Sequence, residues 1–588
     1  MKTNYRFVFP FLLTSALASG CGEGSGASVG PMGPSPVTTG ANGASTSGSG
    51  TTATGSGTTT DTGSGGTGGG GPAAGAGGGS GGAATSTTGS GGSAGSDAGG
   101  SAGSGGTGGA PATGVNSGAG PWGTPIAGGP TPSGMMVTGV VNVNRGTNTG
   151  TVGTRFVGFS VEKTHLTNST FLAANARLIA LYKLIGPASL RIGANDVELC
   201  SWAPATPNAG GGPPYGKKIG TVMVDGLNDF LSATGANVIY GLNFSSNNPA
   251  NDAVEATYAH SKLGANLYGF EIGNELDKYG SWASQRNQYE AIATAVFNAV
   301  PDAKLAGPAS TGGGANSLST PFAADESAKF GSKLVQLTQH YYLGGAGSNA
   351  ATVSALQTIK GDIPGIATTM NNAAVNNHIA GGYRFGEANS FFGHGQMGVS
   401  DTLVAGLWAI DLLFTNAVHG SSGVNFHGGE TGMDGTRPFY YEPIEESMGV
   451  VVAVKPVYFG MLLFYLAGQG HTLATTVNST NPNFTAYAID YAADGSTSVV
   501  LDNKNATTGV EATVNLGAAV TSASAIYLQG MPGGNLTAAA SSVTLAGAQV
   551  TPEGAWARNP PFIQTSSGNT VSVFVPPASA ALVRVVVQ

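Results

Sequence analysis

Between residues 155 and 427, short apolar runs alternate with longer amphipathic ones, and the unit recurs eight times. The runs expected as strands are Arg155–Ser160, Ser189–Ile192, Asn237–Phe244 and Asn266–Gly273, followed by Lys304–Ala309, Leu334–Tyr342, Tyr383–Glu387 and Gly423–His427. Helical spacing of apolar residues lies between them, for example in Thr170–Ile185, Asp252–Leu263, Gln285–Val300 and Ser400–Val418. Pro249 and the pair Asn251–Asp252 give the second of these a start signal. Strands alternating with helices are the pattern of repeated βα units. Eight units in roughly 310 residues predict an α/β fold closed as a (β/α)8 TIM barrel. A doubly wound open sheet is the competitor, but no Gly-rich dinucleotide turn follows the first strand.

After Gly470 the period changes. Phe484–Ala492, Ser498–Asp502, Ala512–Leu516, Ala523–Leu528, Val571–Val575 and Ala581–Val587 alternate like strands, with turn residues between them and no long helical pattern. That predicts an all-β sandwich. The strand-like stretch Met136–Val143 precedes the barrel and is expected to pair into the sandwich.

The N-terminal quarter is a different polymer. Lys2 and Arg6 precede an apolar run, Phe7–Ala18, and the small residues Ala18, Ser19 and Gly20 precede Cys21. This is the layout of a secretory signal. Cys21 after small residues matches a bacterial lipoprotein signal, in which that Cys is acylated; the alternative is an ordinary signal peptide with an incidental Cys. From Gly22 to Gly134 there are 42 glycines and three charged residues, Glu23, Asp61 and Asp97. Such a chain buries too little surface to offset its ordering entropy, so a disordered linker is expected. As a flexible coil it spans on the order of 60 Å. The expected organisation is 1–21 signal, 22–134 linker, 135–153 a strand belonging to the β-sandwich, 154–469 barrel and 470–588 sandwich.

The net charge is -8, and outside the leader and linker 21 basic groups face 28 acidic ones. A nucleic-acid partner is thereby excluded, because phosphate neutralisation needs a clustered excess of Lys and Arg. Cys21 and Cys200 make no disulfide framework and no zinc-site spacing, so neither a metal nor a cofactor is expected. No later stretch offers the ~20 apolar residues of a membrane span. A membrane partner enters only through an N-terminal lipid anchor, which places the protein at the bacterial cell envelope.

Catalytic groups of such barrels sit where strands end. The fourth strand ends in Gly273-Asn274-Glu275 and the seventh in Gly386-Glu387. Two carboxyl groups on one rim suit glycoside hydrolysis, one protonating the leaving oxygen and one attacking or activating water. Each Glu alone is equally well a surface acid at a strand end; the pair together is not.

Longer strings narrow the reading. Gly158-Phe159-Ser160-Val161-Glu162, Leu190-Arg191-Ile192-Gly193, Phe270 to Glu275 and Gly423 to Gly429 occur in this order. So does Val399-Ser400-Asp401-Thr402 before a helix with Leu407-Trp408-Ala409. From Thr154 to Gln588 the chain resembles glycoside hydrolase family 79, the β-glucuronidases and heparanases, within the clan A barrels. The resemblance implies that Glu275 is the general acid/base and Glu387 the nucleophile of a retaining double displacement. It needs Glu275 protonated and Glu387 ionised at the working pH. It implies that Asn274 binds the sugar 2-hydroxyl and that Arg191 favours the charged Glu387. Tyr342, two residues after His340, matches a Tyr touching the nucleophile, or else lines the barrel. Glu162 binds sugar hydroxyls or is a solvated acid, and His427 lines the sugar site or is structural. Trp408 reads as helix packing and Cys200 as a buried thiol.

Glucuronate recognition would use the loop after the nucleophile, Ala388–Gly395, and a Tyr from the last barrel loops. Gly393 offers backbone amide character for an anion, and Tyr440 or Tyr441 a hydroxyl. Phe391 and Phe392 carry no hydroxyl. The residues expected to contact the glycoside or polysaccharide substrate are Asn274, Glu162, Arg191, Tyr342, Phe392, Gly393 and Tyr441. No basic cluster marks a cleft for a sulfated polymer, so exo action on β-glucuronides is favoured. The alternatives are a clan A hydrolase or transglycosylase acting on neutral β-glycosides, and a non-catalytic surface carbohydrate-binding protein.

Overall fold

The structure, a computed structural model, describes residues 123–588 apart from 169, 206–216, 360, 429–438 and 448. The expected leader with Cys21, the linker as far as residue 122, and Gly429 lie outside the described residues.

All eight expected barrel strands form, as Val157–Glu162, Ser189–Gly193, Asn237–Leu242, Leu267–Ile272, Leu305–Ser310, Leu334–Gly345, Tyr383–Phe392 and Val424–His427. Each pairs in parallel with the next, and Val424 beside Val157 closes the ring. Ser189–Gly193 and Leu305–Ser310 are buried throughout, which is why these strands read as continuous apolar runs. Local chemistry moves the helix ends. The first helix begins at Ala176 rather than Thr170, because Asn175 caps it by accepting from the Leu178 amide. The helix expected from Asp252 begins at Pro249, capped by Asn248, with Pro at the position where its missing N–H costs nothing.

The seventh strand does not stop at Glu387. It continues to Phe392, paired with a still longer sixth strand through Phe391 beside Gly344 and Phe392 beside Gly345. A register shift between Phe385 and Glu387 accommodates the pairing. The stretch read as a loop from Ala388 is therefore half strand.

The C-terminal β region is one eleven-stranded sheet. It folds over far enough that Val520–Gly530 touches Thr565–Ser567 from near the other end of the strand order, so a single sheet makes the sandwich. Met135–Val152 runs antiparallel to Gly470–Ser479 and parallel to Thr508–Asn515. The chain is tied to this sheet even earlier than Met135, since Ile126 exchanges backbone hydrogen bonds with Pro561 and Ile563. Alternation assigns each strand to two cores. Val499 and Leu501 face the sheet's own interior, whereas Val500 between them packs with the barrel; Ala581 and Val583 divide from Leu582 in the same way.

Helix Leu403–Val418 is buried on almost every side, as an all-round apolar helix must be, because it touches both barrel and sheet. Trp408 is fully buried in it, a packing residue as read. Gly406 lets it cross helix Pro456–Ala467 closely: a Cβ there would meet the Pro456 carbonyl oxygen at 2.4 Å. Cys200 is a buried free thiol, pushed up to about 12 by burial. Its neighbour Trp202 is buried too, whereas Leu199 is exposed.

Candidate active site

Four barrel strands converge on one guanidinium. Arg191, on strand two, is fully buried, and a buried cation needs charged and hydrogen-bonding partners. It donates through Nε to Glu271 (2.5 Å), through Nη1 to Glu387 (2.9 Å) and Ser160 (3.2 Å), and through Nη2 to Asn274 Oδ1 (2.8 Å). One side chain thus fixes strands one, two, four and seven relative to each other. Thr338 of strand six donates to the other oxygen of Glu271 at 2.6 Å.

Glu387 is met from several sides. The Tyr342 hydroxyl donates to its Oε1 at 2.8 Å, so Tyr342 touches the carboxylate rather than merely lining the barrel. His427 Nδ1 stands 3.8 Å and His340 Nδ1 3.9 Å from its Oε2. Burial pushes the Glu387 carboxyl up, but the neighbouring His427, His340 and Arg191 charges and the Tyr342 hydroxyl outweigh it and hold it well below the usual carboxylate range. Burial also holds His427 below its usual value against the pull of Glu387, so at neutral pH Arg191 is the permanent cation beside the carboxylate.

Glu275 sits just past strand four in a left-handed turn, φ 48° and ψ 57°, an uncommon conformation for a residue with a Cβ and one concentrated at functional sites. Its amide donates to the Ala309 carbonyl at 2.8 Å. Gly273 begins the turn at φ 80°, where a Cβ would meet Phe244 and Leu276 side chains at 2.7 Å. The Glu275 Oε1 lies 3.2 Å from His340 Nδ1, and its Oε2 pairs with Lys278. One imidazole nitrogen therefore bridges both carboxyl groups. Desolvation raises the Glu275 carboxyl, but the hydrogen bond and charge of His340, with help from Lys278, bring it below its usual 4.5. The free site thus departs from the expected protonated Glu275: His340 and Lys278 stand where a substrate oxygen would approach.

Lys278→Met removes one of them. The Glu275 carboxyl should then move up, and with it the alkaline limb of the kcat/KM–pH profile, since loss of a neighbouring cation disfavours the carboxylate. A pH profile of the variant beside the parent checks this; an unmoved limb would mean that Glu275 does not set it.

Asn274 is aimed by its neighbours: its amide N–H donates to Glu198 at 3.0 Å and its side-chain nitrogen to Asn195 at 3.3 Å. Glu162 ends strand one inside the site, its Oε1 3.9 Å from His427 Nε2 and its Oε2 accepting the Asp196 amide at 2.7 Å. Burial, then the Asp196 charge, push it well above the usual range, so it is not an ordinary solvated acid. Tyr441 is buried with its ring 6.0 Å from Tyr342 and 5.9 Å from His427, and Asn389 holds its carbonyl at 3.0 Å. Phe392 stands at the rim, 57% exposed, its ring edge-on to Tyr342 at 6.3 Å. Gly393 follows at φ 78°. Every expected contact residue among those described thus gathers at one mouth of the barrel.

Glu271, Ser160, His340, Glu198 and Lys278 were not singled out from sequence. Glu271 had a signal: a charge inside the apolar strand Phe270-Glu271-Ile272 must find a buried partner, and Arg191 in Leu190-Arg191-Ile192 poses the same demand. His340 had only its position beside Tyr342. Among the described residues no group of side chains has the makeup of a metal site.

No protein-family model matches the chain, and no curated protein is similar to it. Solved structures are. A 4-O-α-L-rhamnosyl-β-D-glucuronidase from Fusarium oxysporum aligns over 76% of this chain and 99% of its own at 20% identity, TM-score 0.60. A GH51 arabinofuranosidase from Xanthomonas axonopodis pv. citri aligns over 76% and 100% at 15% identity, TM-score 0.56. A family 44 xyloglucanase from Paenibacillus polymyxa aligns over 77% and 100% at 12% identity, TM-score 0.52. At these identities the likeness shows the shared fold, an eight-stranded barrel with an attached β region.

Proposed function

We propose that the protein is a retaining glycoside hydrolase acting on β-linked glycosides, most naturally exo-acting on β-glucuronides. The observation that carries this is Glu387, ionised between Arg191 and Tyr342, with Glu275 facing it across His340. Nδ1 of His340 lies 3.2 Å from one carboxyl and 3.9 Å from the other. Those distances bound the gap between the two oxygens from above and fit both the ~5–5.5 Å of retaining and the lower part of the ~6.5–9.5 Å of inverting carboxyl pairs. Direct attack rests on the family resemblance and on the hydrogen-bonded, charged Glu387.

In the first step a Glu387 oxygen forms a bond to the anomeric carbon while the glycosidic C–O bond breaks, and the Glu275 proton goes to the departing oxygen. In the second, Glu275 takes a proton from water, the resulting oxygen attacks the same carbon, and Glu387 leaves as carboxylate. Asn274, clamped by Arg191, has its amide nitrogen to offer the 2-hydroxyl. Arg191 keeps Glu387 charged without itself touching the sugar.

Uronate preference rests on Tyr441 and the Gly393 amide, and on the 20%-identical neighbour being a glucuronidase. Phe392 at the rim supports a second reading, a neutral β-glycoside, since it offers no hydroxyl to a carboxylate. Chromogenic β-glucuronide, β-glucoside and β-galactoside assayed side by side with the full chain separate the two. Hydrolysis confined to the glucuronide supports the first, activity on a neutral glycoside alone replaces it with the second, and sugar binding without turnover would sink both. The lipid anchor and linker complete the proposal as a tether at the cell envelope.

A further inference from the structure

The mechanism uses only the mouth of the barrel where strands end. At the opposite mouth, among the residues where strands begin, a cavity of about 360 Å³ opens. In a barrel that face ordinarily serves stability, yet this cavity is lined by two guanidinium groups, Arg155 and Arg384, and by no carboxylate.

Arg384 is 5% exposed. It donates to four uncharged oxygens: Asn425 Oδ1 at 2.8 Å and the carbonyls of Arg155 (2.8 Å), Ser422 (2.8 Å) and Phe156 (3.3 Å). Carbonyl dipoles solvate a cation without neutralising it, and burial accordingly draws the Arg384 guanidinium down to about 10. Gly423 makes room for it, since a Cβ there would lie 2.4 Å from Nη1. Arg155 is held in a left-handed conformation, φ 66°, donating through Nη2 to the Gly235 carbonyl at 2.9 Å. Its Nε is buried without a partner. Asn237 leaves a buried amide oxygen without a partner as well, and an amide can turn either end inward; Gln336 is fixed, its Nε2 donating to the Gly381 carbonyl at 3.2 Å and to Ser422 Oγ at 2.8 Å. Two cations, an unused donor and one adaptable amide thus surround one polar space that no carboxylate lines, in a chain of net charge -8.

We propose that this cavity binds a small oxyanion, a phosphate or carboxylate group, beside Arg155 and Arg384, with the unused Arg155 Nε and the Asn237 side chain supplying its hydrogen bonds. A guanidinium N–H donates to an oxygen of either group, while Arg384, its Nη hydrogens spent on protein oxygens, contributes its charge. The volume exceeds a bare phosphate, so the anionic group can be carried on a larger molecule such as a sugar phosphate or sugar acid. The site is independent of the glycosidase reading: a catalytically dead protein would bind equally well.

The test uses the full chain at constant ionic strength in chloride, with inorganic phosphate, sulfate, glucuronate and neutral glucose as probes. Binding to the folded state raises Tm with ligand concentration, and calorimetry gives the affinity. At least one anion should bind, glucose should not, and Arg155→Gln should weaken that binding at least tenfold while leaving kcat and KM on the chromogenic glycoside unchanged. Arg155 is part-exposed, so this variant keeps the fold that Arg384→Met endangers. Phosphate or sulfate alone would point to a phosphoryl-type ligand, and Arg155-dependent glucuronate binding to a carboxylate. No anion binding, equal binding of glucose, or anion binding unchanged in Arg155→Gln would overturn the proposal.

Discussion

Glu387→Ala is expected to lower kcat on a chromogenic glycoside by about 10⁴-fold or more, because the nucleophile takes part in both steps and nothing nearby can replace it. Glu271, the next carboxylate within the barrel, has its oxygens taken by Arg191 at 2.5 Å and Thr338 at 2.6 Å. Burial and Asp196 push Glu162 up, away from the charged form a nucleophile needs. Azide fits the space left by the carboxyl group and should restore turnover, giving a glycosyl azide of inverted configuration that proton NMR identifies. Glu275→Ala should behave differently, with activity falling steeply for poor leaving groups and much less for a nitrophenolate that departs unprotonated. Full activity in Glu387→Ala, with folding verified by circular dichroism, would discard the assignment of the nucleophile. Equal losses in Glu275→Ala for good and poor leaving groups would discard that of the acid.

Lys504→Met should destabilise the protein by about 3–5 kcal/mol, the range for stripping a buried ion cluster of one partner. Lys504 is fully buried between Asp411, at 2.7 Å, and Asp502, at 3.0 Å. Asp411 lies on helix Leu403–Val418 and also accepts from Thr485 (2.7 Å) and Tyr487 (2.9 Å) of the sheet. Barrel and sheet therefore share one charge cluster, and its loss should lower the thermal midpoint of both together. Already in the parent, burial outweighs Lys504 and pushes the Asp502 carboxyl up to about 7. A carboxyl raised in the folded state favours folding below its unfolded value near 3.8 and loses that contribution as pH rises through the folded one. Without Lys504 the Asp502 carboxyl rises further, so the deficit should be smallest near pH 4 and grow towards pH 8. Thermal melts across that range check it. Lys504→Met combined with Asp411→Asn and Asp502→Asn should recover part of the loss, since no charge is then left uncompensated.

Charges inside apolar strands mark the boundary of what a linear reading can reach. Period and composition were enough for the eight barrel strands, for the β region after Gly470 and for both rim glutamates, since each is a local pattern repeated along the chain. Val500 between Val499 and Leu501 shows where local pattern ends: three consecutive apolar residues declare burial, and only the fold assigns them to two separate cores. The seventh strand was read as ending at Glu387 because Ala388-Asn389-Ser390 lacks apolar alternation, and the long sixth strand beside it carried the pairing on to Phe392.

The sequence by itself determined the fold class and the places of Glu275 and Glu387, because strand-end position in a barrel follows from the repeat, whereas Asn274, Arg191, Glu162, Tyr342, Phe392, Gly393 and Tyr441 were picked out by the family resemblance. Only the tertiary structure decided their chemical states. Glu387 is held in its charged form, Glu162 is pushed towards its neutral one, and Glu275 is drawn down by His340 and Lys278, because a carboxyl group answers to charges and solvent within a few ångströms. Those neighbours arrive from strands far apart in the chain. The unbalanced guanidiniums of Arg155 and Arg384 are of the same kind, 229 residues apart in sequence and lining one cavity.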